Sequence, residues 1–233
     1  MTLQVVAKDR YEEVAHEYYD STRHPTSANF RAGSARALTK WLPGHFACGS
    51  WSCEVGAGDS LLAKWVARAG TLNRLVLTDN SASMLRYSYK WMRRGATLAL
   101  TDARRLPFKG SMFELIVASL GDAYNDEYFW HSAARTLCSG GYLVFTVPAF
   151  EWALAYRGSS NYAEFDTKTR RVSLPSIVLP ESDQIALIEA AGLVVKEVEQ
   201  IGLSDLGSMP ISPKLIVSRG QNAPVVTAYL VGK

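Results

Sequence analysis

Two glycines, Gly56 and Gly58, follow an acidic residue, Glu54, in the stretch C-E-V-G-A-G-D-S at residues 53–60. Trp51 to Val55 reads as a buried strand, the glycines let the backbone bend where a Cβ would obstruct it, and Asp59 is placed to cap the helix that follows. A turn of this kind suits a nucleotide-like ligand. A pyrophosphate-binding turn would read G-x-G-x-x-G, but here the third glycine position falls on Leu61. Glu54 adds a negative charge facing the ligand, which repels a pyrophosphate and suits a cation.

A second acid, Asp79, closes the short apolar run from Arg74 to Thr78. It follows the glycines by roughly twenty residues, the length of one strand-helix-strand unit. A carboxylate there offers two oxygens in a fork, which matches the two hydroxyls of a ribose. Ser81 can cap the next helix, expected to run to about Arg94, and Ala96 to Thr101 reads as a third strand followed by Asp102. From its position alone Asp102 is a turn aspartate.

At these residues the chain resembles the class I methyltransferases that depend on S-adenosylmethionine (SAM), in particular the type 11 group. E-V-G-A-G-D-S is similar to that family's acidic-x-Gly-x-Gly-x-Gly motif except at Ser60, and D-N-S-A-S-M-L and D-A-R-R-L-P-F resemble its next two motifs. The resemblance implies a Rossmann-like α/β fold: an open, mostly parallel sheet of seven strands with helices on both faces and the last strand antiparallel. It implies SAM as cofactor, with an ammonium and a sulfonium suited to Glu54. Gly56, Ala57 and Gly58 would form the loop, and Asp79 and Asn80 would lie at the ribose. Met84, Asp102 and Ala103 would lie at the adenine, and Ser119 and Leu120 at the tip of the fourth strand. The aromatic segment Y-E-E-V-A-H-E-Y-Y-D looks like the family's N-terminal helix, which makes Tyr18, His24, Asn29 and Arg31 candidates for a lid touching cofactor or substrate.

The elements that must position these groups follow from apolar spacing. Tyr11, Val14, Ala15 and Tyr18 recur at helical intervals from about Lys8, His24-Pro25 breaks the run, and Phe30, Ala35, Leu38 and Trp41 resume it before Pro43. Leu61, Leu62, Trp65, Val66 and Ala69 share one helix face ended by Gly70. Phe113 to Ser119 is the expected fourth strand. Beyond it L-G-D-A-Y-N-D reaches the carboxyl edge of the sheet, where open α/β folds do their chemistry, so Asp122, Tyr124 and Asn125 are candidates for contact with a methyl acceptor. If the acceptor must lose a proton, His24, Asp122 or Tyr124 could take it. Tyr128, Phe129, Ala133, Ala134 and Leu137 suggest an amphipathic helix, joined to the fifth strand by a tight connection at Gly140-Gly141. A helix over Glu181 to Ala191, strands over Leu193 to Ile201 and Val225 to Val231, and a loop over Gly202 to Asn222 complete the chain.

Length and composition bound the reading. At 233 residues, 48% hydrophobic and 20% charged, one domain is expected over residues 1–233, with a helical lid at 1–45 and a substrate-side insertion at 149–180. A formal charge of +3 is too small to argue for nucleic acid. Cys48, Cys53 and Cys138 lack the spacing of a disulfide framework or a zinc site, so no metal is expected. No apolar run approaches the roughly 18 residues of a membrane span, and with no leader pattern at the N-terminus a cytoplasmic protein is expected. The leading expectation is methyl transfer from SAM to an oxygen or nitrogen of a small molecule. RNA or protein methylation and a non-catalytic SAM-binding subunit are alternatives, and a nicotinamide dehydrogenase is disfavoured by Glu54 and Leu61.

Overall fold

The computed structural model describes residues 10–47, 49–70, 72–216 and 223–233; the expected helix start at Lys8, the cysteine at 48 and the end of the 202–222 loop lie outside them. Seven strands form one sheet: β1 (Ser52–Glu54), β2 (Leu75–Asp79), β3 (Thr97–Leu100), β4 (Phe113–Ala118), β5 (Leu137–Pro148), β8 (Val194–Gly202) and β9 (Pro224–Gly232). Their order is β3-β2-β1-β4-β5-β9-β8, with β9 antiparallel to both neighbours and β1 to β5 parallel. A separate hairpin pairs β6 (Tyr162–Asp166) with β7 (Arg171–Pro175).

Nine helices surround the strands among the described residues: α1 (Tyr11–Val14), α2 (Pro25–His45), α3 (Leu61–Ala69), α4 (Ala82–Leu85), α5 (Tyr89–Met92), α6 (Glu127–Thr136), α7 (Phe150–Arg157), α8 (Glu181–Ala190) and α9 (Pro213–Ile216). Both faces of the sheet are covered, so its central strands are apolar on both sides. In β4, Leu115 and Val117 join one core with Leu38 of α2, Leu62 of α3 and Trp152 of α7. Ile116 and Ala118 join the other with Phe129 and Trp130 of α6 and Ile188 of α8. The chain runs outward from β1 to β3 and then returns to β4, which opens a crevice at the carboxyl ends of β1 and β4.

Several elements differ from expectation. Helix α2 continues through Pro43 to His45, because a proline in the last turn removes a single intrahelical bond while Leu42 still accepts from the Phe46 N–H at 2.8 Å. The helix expected from Ser81 to Arg94 is divided by a 3-10 turn at Arg86–Ser88. Gly140 and Gly141 lie within β5, whose pairing to β4 shifts register near Phe113, and so form an irregular strand start and not a loop. Tyr128 faces solvent, at 62% exposure, while Trp130 takes its place in the core.

Helix α2 crosses β9 closely at Gly33, where a Cβ would lie 2.8 Å from Val226 Cγ2. Gly33→Ala is therefore expected to lower the unfolding free energy by about 1–3 kcal/mol through overpacking, measured as a shift of the urea midpoint at unchanged slope.

Candidate active site

The glycine loop is held in shape by two carboxylates. Glu54, 1% exposed, accepts from the Leu61 N–H at 3.1 Å, the Leu62 N–H at 3.2 Å and the Ser60 hydroxyl. It thus satisfies the unpaired donors at the start of α3, while Ser60 itself is the N-cap and accepts from the Ala63 N–H at 2.8 Å. Asp59, expected at the cap, instead pairs with Lys64 and, at 2.7 Å, with Lys90. Sequence pattern could not separate these two neighbours, since either suits an N-cap.

Asp79 at the tip of β2 bridges the next gap. Its Oδ2 accepts from the Gly58 N–H and its Oδ1 from the Ser81 N–H, each at 2.9 Å. Gly56 and Gly58 hold φ of +64° and +43°. Tyrosines lie against both: Tyr124 Oη donates to the Val55 carbonyl at 2.8 Å, and Tyr19 Oη accepts from the Asp59 N–H at 2.8 Å. Met84, buried, reaches the same loop beside Gly58. Arg31 donates to the Asp59 carbonyl at 2.6 Å and stacks over the Tyr19 ring. Asn80 is exposed, Ala57 and Ala103 are buried, and Asp102 sits on the rim, capping the 3-10 turn Ala103–Arg105 by accepting from the Arg104 N–H at 2.9 Å. The three acids at the strand tips therefore differ: Asp79 reaches across the loop and Glu54 braces it, while Asp102 is exposed and caps its own 3-10 turn.

The tip of β4 is strained. Leu120 adopts φ +55°, a left-handed conformation costing about 1–3 kcal/mol outside glycine. Its N–H donates to Thr146 Oγ1 at 2.9 Å, and Thr146 is paired in turn with Ser34 Oγ of α2 at 2.7 Å. Beside it Ser119 Oγ is shielded from solvent without a hydrogen-bond partner.

Past this tip lies a cavity of about 720 Å³ whose wall includes Tyr18, His24, Leu120, Asp122, Trp152 and Ser176. The hairpin and the N-terminal segment form part of its wall. Val14 packs on Phe165, Val172 and Leu174, Tyr18 stacks on Phe165, Glu17 accepts from the Lys168 N–H, and Glu12 accepts from Ser81 Oγ and the Ser83 N–H. Asp122, only 9% exposed, accepts from Ser176 Oγ, and burial pushes its carboxyl up to about 6. Burial lowers His24, whose ring stacks on Phe165 at 4.0 Å with Nε2 3.6 Å from Glu17. Burial raises the Tyr124 phenol well above its usual range, so it holds its proton and serves as a donor to Val55, not as a base.

One expected acceptor contact, Asn125, and one expected lid residue, Asn29, have their hydrogen bonds spent elsewhere. Asn125 is buried in a network with Trp130, Gln184 and the Ile177 carbonyl, and Asn29 clamps the 202–216 segment through Pro210 and Ser212. Thr146 and Ser176 join the site without having been marked by any motif, and Tyr19 does so from within the aromatic N-terminal segment without having been singled out, since each is recruited by a contact far away in the chain. Among the described residues no group of three or more His, Cys, Asp or Glu side chains could hold a metal, and no helix is long and apolar enough to cross a membrane.

Residues 53–145 match a family model described as a methyltransferase domain. Comparison with curated protein sequences gives no match. Among solved structures, a methyltransferase of Haloferax volcanii in complex with the Trm112 methyltransferase activator is 14% identical with TM-score 0.68, covering 97% of this chain and 99% of its own. A SAM-dependent methyltransferase from Mesorhizobium loti is 16% identical with TM-score 0.63, covering 84% and 96%. The DhpI-SAM-HEP complex is 15% identical with TM-score 0.65, covering 96% and 94%. These likenesses establish the fold.

Burial lifts the Glu54 carboxyl from its ordinary 4.5 to about 7, against the Ser60 and backbone donors that favour the charged form. A raised folded value means its contribution to stability is complete below about 4.5 and lost as pH rises through about 7. Urea unfolding followed across this window should show the decline, and Glu54→Gln should remove its larger part while leaving the share of Asp122 between 3.8 and about 6.

Proposed function

We propose that this chain, which carries a SAM-dependent methyltransferase domain of the class I, type 11 kind over residues 53–145, transfers a methyl group to a hydroxyl or amine of a small molecule held in the cavity beside Asp122. The observation that carries the acceptor class is the size and lining of the cavity: about 720 Å³ falls within the usual range for small-molecule sites, and the chain's own hairpin and N-terminal segment supply part of its wall.

The residues present fit SAM. Asp79 offers a carboxylate at the strand tip for a ribose diol, Met84 offers a polarizable apolar surface beside Gly58, and the Ser119 hydroxyl has an unmet hydrogen bond. When bound, SAM supplies a methyl group already activated by a sulfonium, which departs with the bonding electron pair as a neutral thioether. The work left to the protein is orientation and exclusion of water. In this reading Glu54 acts through the loop it braces, and Arg31, Tyr18 and Tyr19 cover the cofactor from the N-terminal segment. The described N-terminal residues before α2 act as a lid, and residues 149–180, which include α7 and the hairpin, line the acceptor side.

Asp122 is the proposed proton acceptor. Its position in the cavity wall suits contact with substrate, its elevated pKa suits proton transfer near neutrality, and Ser176 orients it. His24, with its proton affinity lowered, is neutral at pH 7 and contributes to the wall.

Two outcomes test this. Asp79→Ala should weaken SAM binding by about a hundredfold by calorimetry, as expected for loss of hydrogen bonds to a charged group together with disruption of the loop. Asp122→Asn should lower kcat by about 10²–10⁴ in an S-adenosylhomocysteine release assay while SAM affinity stays unchanged, and should abolish an acid limb near pH 6 in the rate profile. Unchanged turnover in Asp122→Asn would refute its role as base.

A further inference from the structure

Four cations line the cavity, and two of them form no ion pair among the described residues. Arg23 Nε donates to Glu17 at 2.8 Å, and Arg171 Nε to Asp166 at 2.7 Å. Arg157, half-buried at the end of α7, makes one hydrogen bond, to the Ser176 carbonyl at 2.7 Å. Asp122 is close enough to be felt by Arg157, but that carboxylate is bonded to Ser176 Oγ and forms no ion pair with the guanidinium. Lys214 on α9 forms no ion pair either, since Asp166, which feels its charge, is bonded to Arg171; its Nζ lies 5.4 Å from the centre of the Tyr156 ring.

Lys214 borders an aromatic surface of the cavity whose wall Arg157 shares. Tyr156 stacks on Trp152 with ring centres 5.3 Å apart and planes 9° from parallel, and Phe30 meets Trp152 edge-on at 4.8 Å. Trp152 Nε1 donates to the Lys214 carbonyl at 3.0 Å, which ties α7 to α9 and holds the two cations on a common support. A guanidinium has five N–H donors, and that of Arg157, half-buried with one protein hydrogen bond, keeps donors for an anion entering the cavity. Arginine with lysine beside an aromatic platform is suited to an anionic group joined to an apolar body.

Resting on the acceptor reading above, we infer that the methyl acceptor is a small amphipathic anion, its charged group held by Arg157 and Lys214 and its apolar body packed on Trp152 and Tyr156. Asp122 and Asp166 lie near enough to Arg157 and Lys214 to be felt without pairing with either, so an anion that binds these two cations breaks no ion pair of theirs.

The test uses the source organism's small-molecule extract, separated on an anion exchanger at neutral pH, each fraction being incubated with the full chain and methyl-labelled SAM. Label transfer confined to the retained fractions is expected. Arg157→Ala and Lys214→Ala should each raise the apparent KM for the active fraction by about tenfold or more, at unchanged SAM affinity. Transfer to the unretained fraction, or an unchanged KM in either variant, would overturn the inference. So would a shifted pH profile without a KM change in Arg157→Ala, the behaviour of a mere counter-charge to Asp122. If SAM binds but no fraction accepts label, the small-molecule reading itself fails and this inference with it.

Discussion

Backbone N–H groups that no strand or helix can pair are what the active face of this protein is built to satisfy. A chain turning from β1 into α3 leaves the donors of Gly58, Leu61 and Leu62 without intrahelical partners, and two buried carboxylates take them: Asp79 the first, Glu54 the other two. Each carboxylate lies on a different strand from the group it serves or at the far end of the turn, so the loop is fixed relative to β1 and β2 together. An unpaired buried donor costs about 1–3 kcal/mol, which makes this arrangement stiff as well as specific.

The same face is divided by the tip of β4. On one side stand the glycine loop, Asp79 and Met84; on the other stands the cavity holding Asp122. Leu120 sits between them in a strained conformation secured by Thr146, which is tied to Ser34 of α2. Core packing of α2 on the sheet is thereby coupled to the tip of β4 that borders the cavity. The N-terminal segment spans both sides, since Glu12 is bonded to the start of α4 while Val14 and Tyr18 rest on the hairpin.

The strand order, the glycine loop and the acid at the end of β2 were legible in the sequence because each is local: an apolar run, two residues free of a Cβ, a fixed distance along the chain. What was not legible depends on competition between distant groups. Glu54 was expected to face the ligand, but the donors of α3 lie nearer to it. Asn29 and Asn125 looked available by type, and long-range carbonyl and side-chain partners claim them. Tyr124 resembled a base until its surroundings proved to hold its proton. Arg157 and Ser176 carry no motif and meet Asp122 only because α7 and the hairpin fold over the sheet edge. Pro43 read as a helix stop, yet a proline so near the end of α2 removes too little to stop it.

The central claim is that one crevice at the ends of β1, β2 and β4 holds the cofactor and opens directly onto the cavity of Asp122. A crystal structure with S-adenosylhomocysteine tests it most directly. The sugar hydroxyls should lie on the Asp79 carboxylate and the sulfur should face the cavity beside Leu120; a ligand bound elsewhere, or with its sulfur shut off from Asp122, would contradict it.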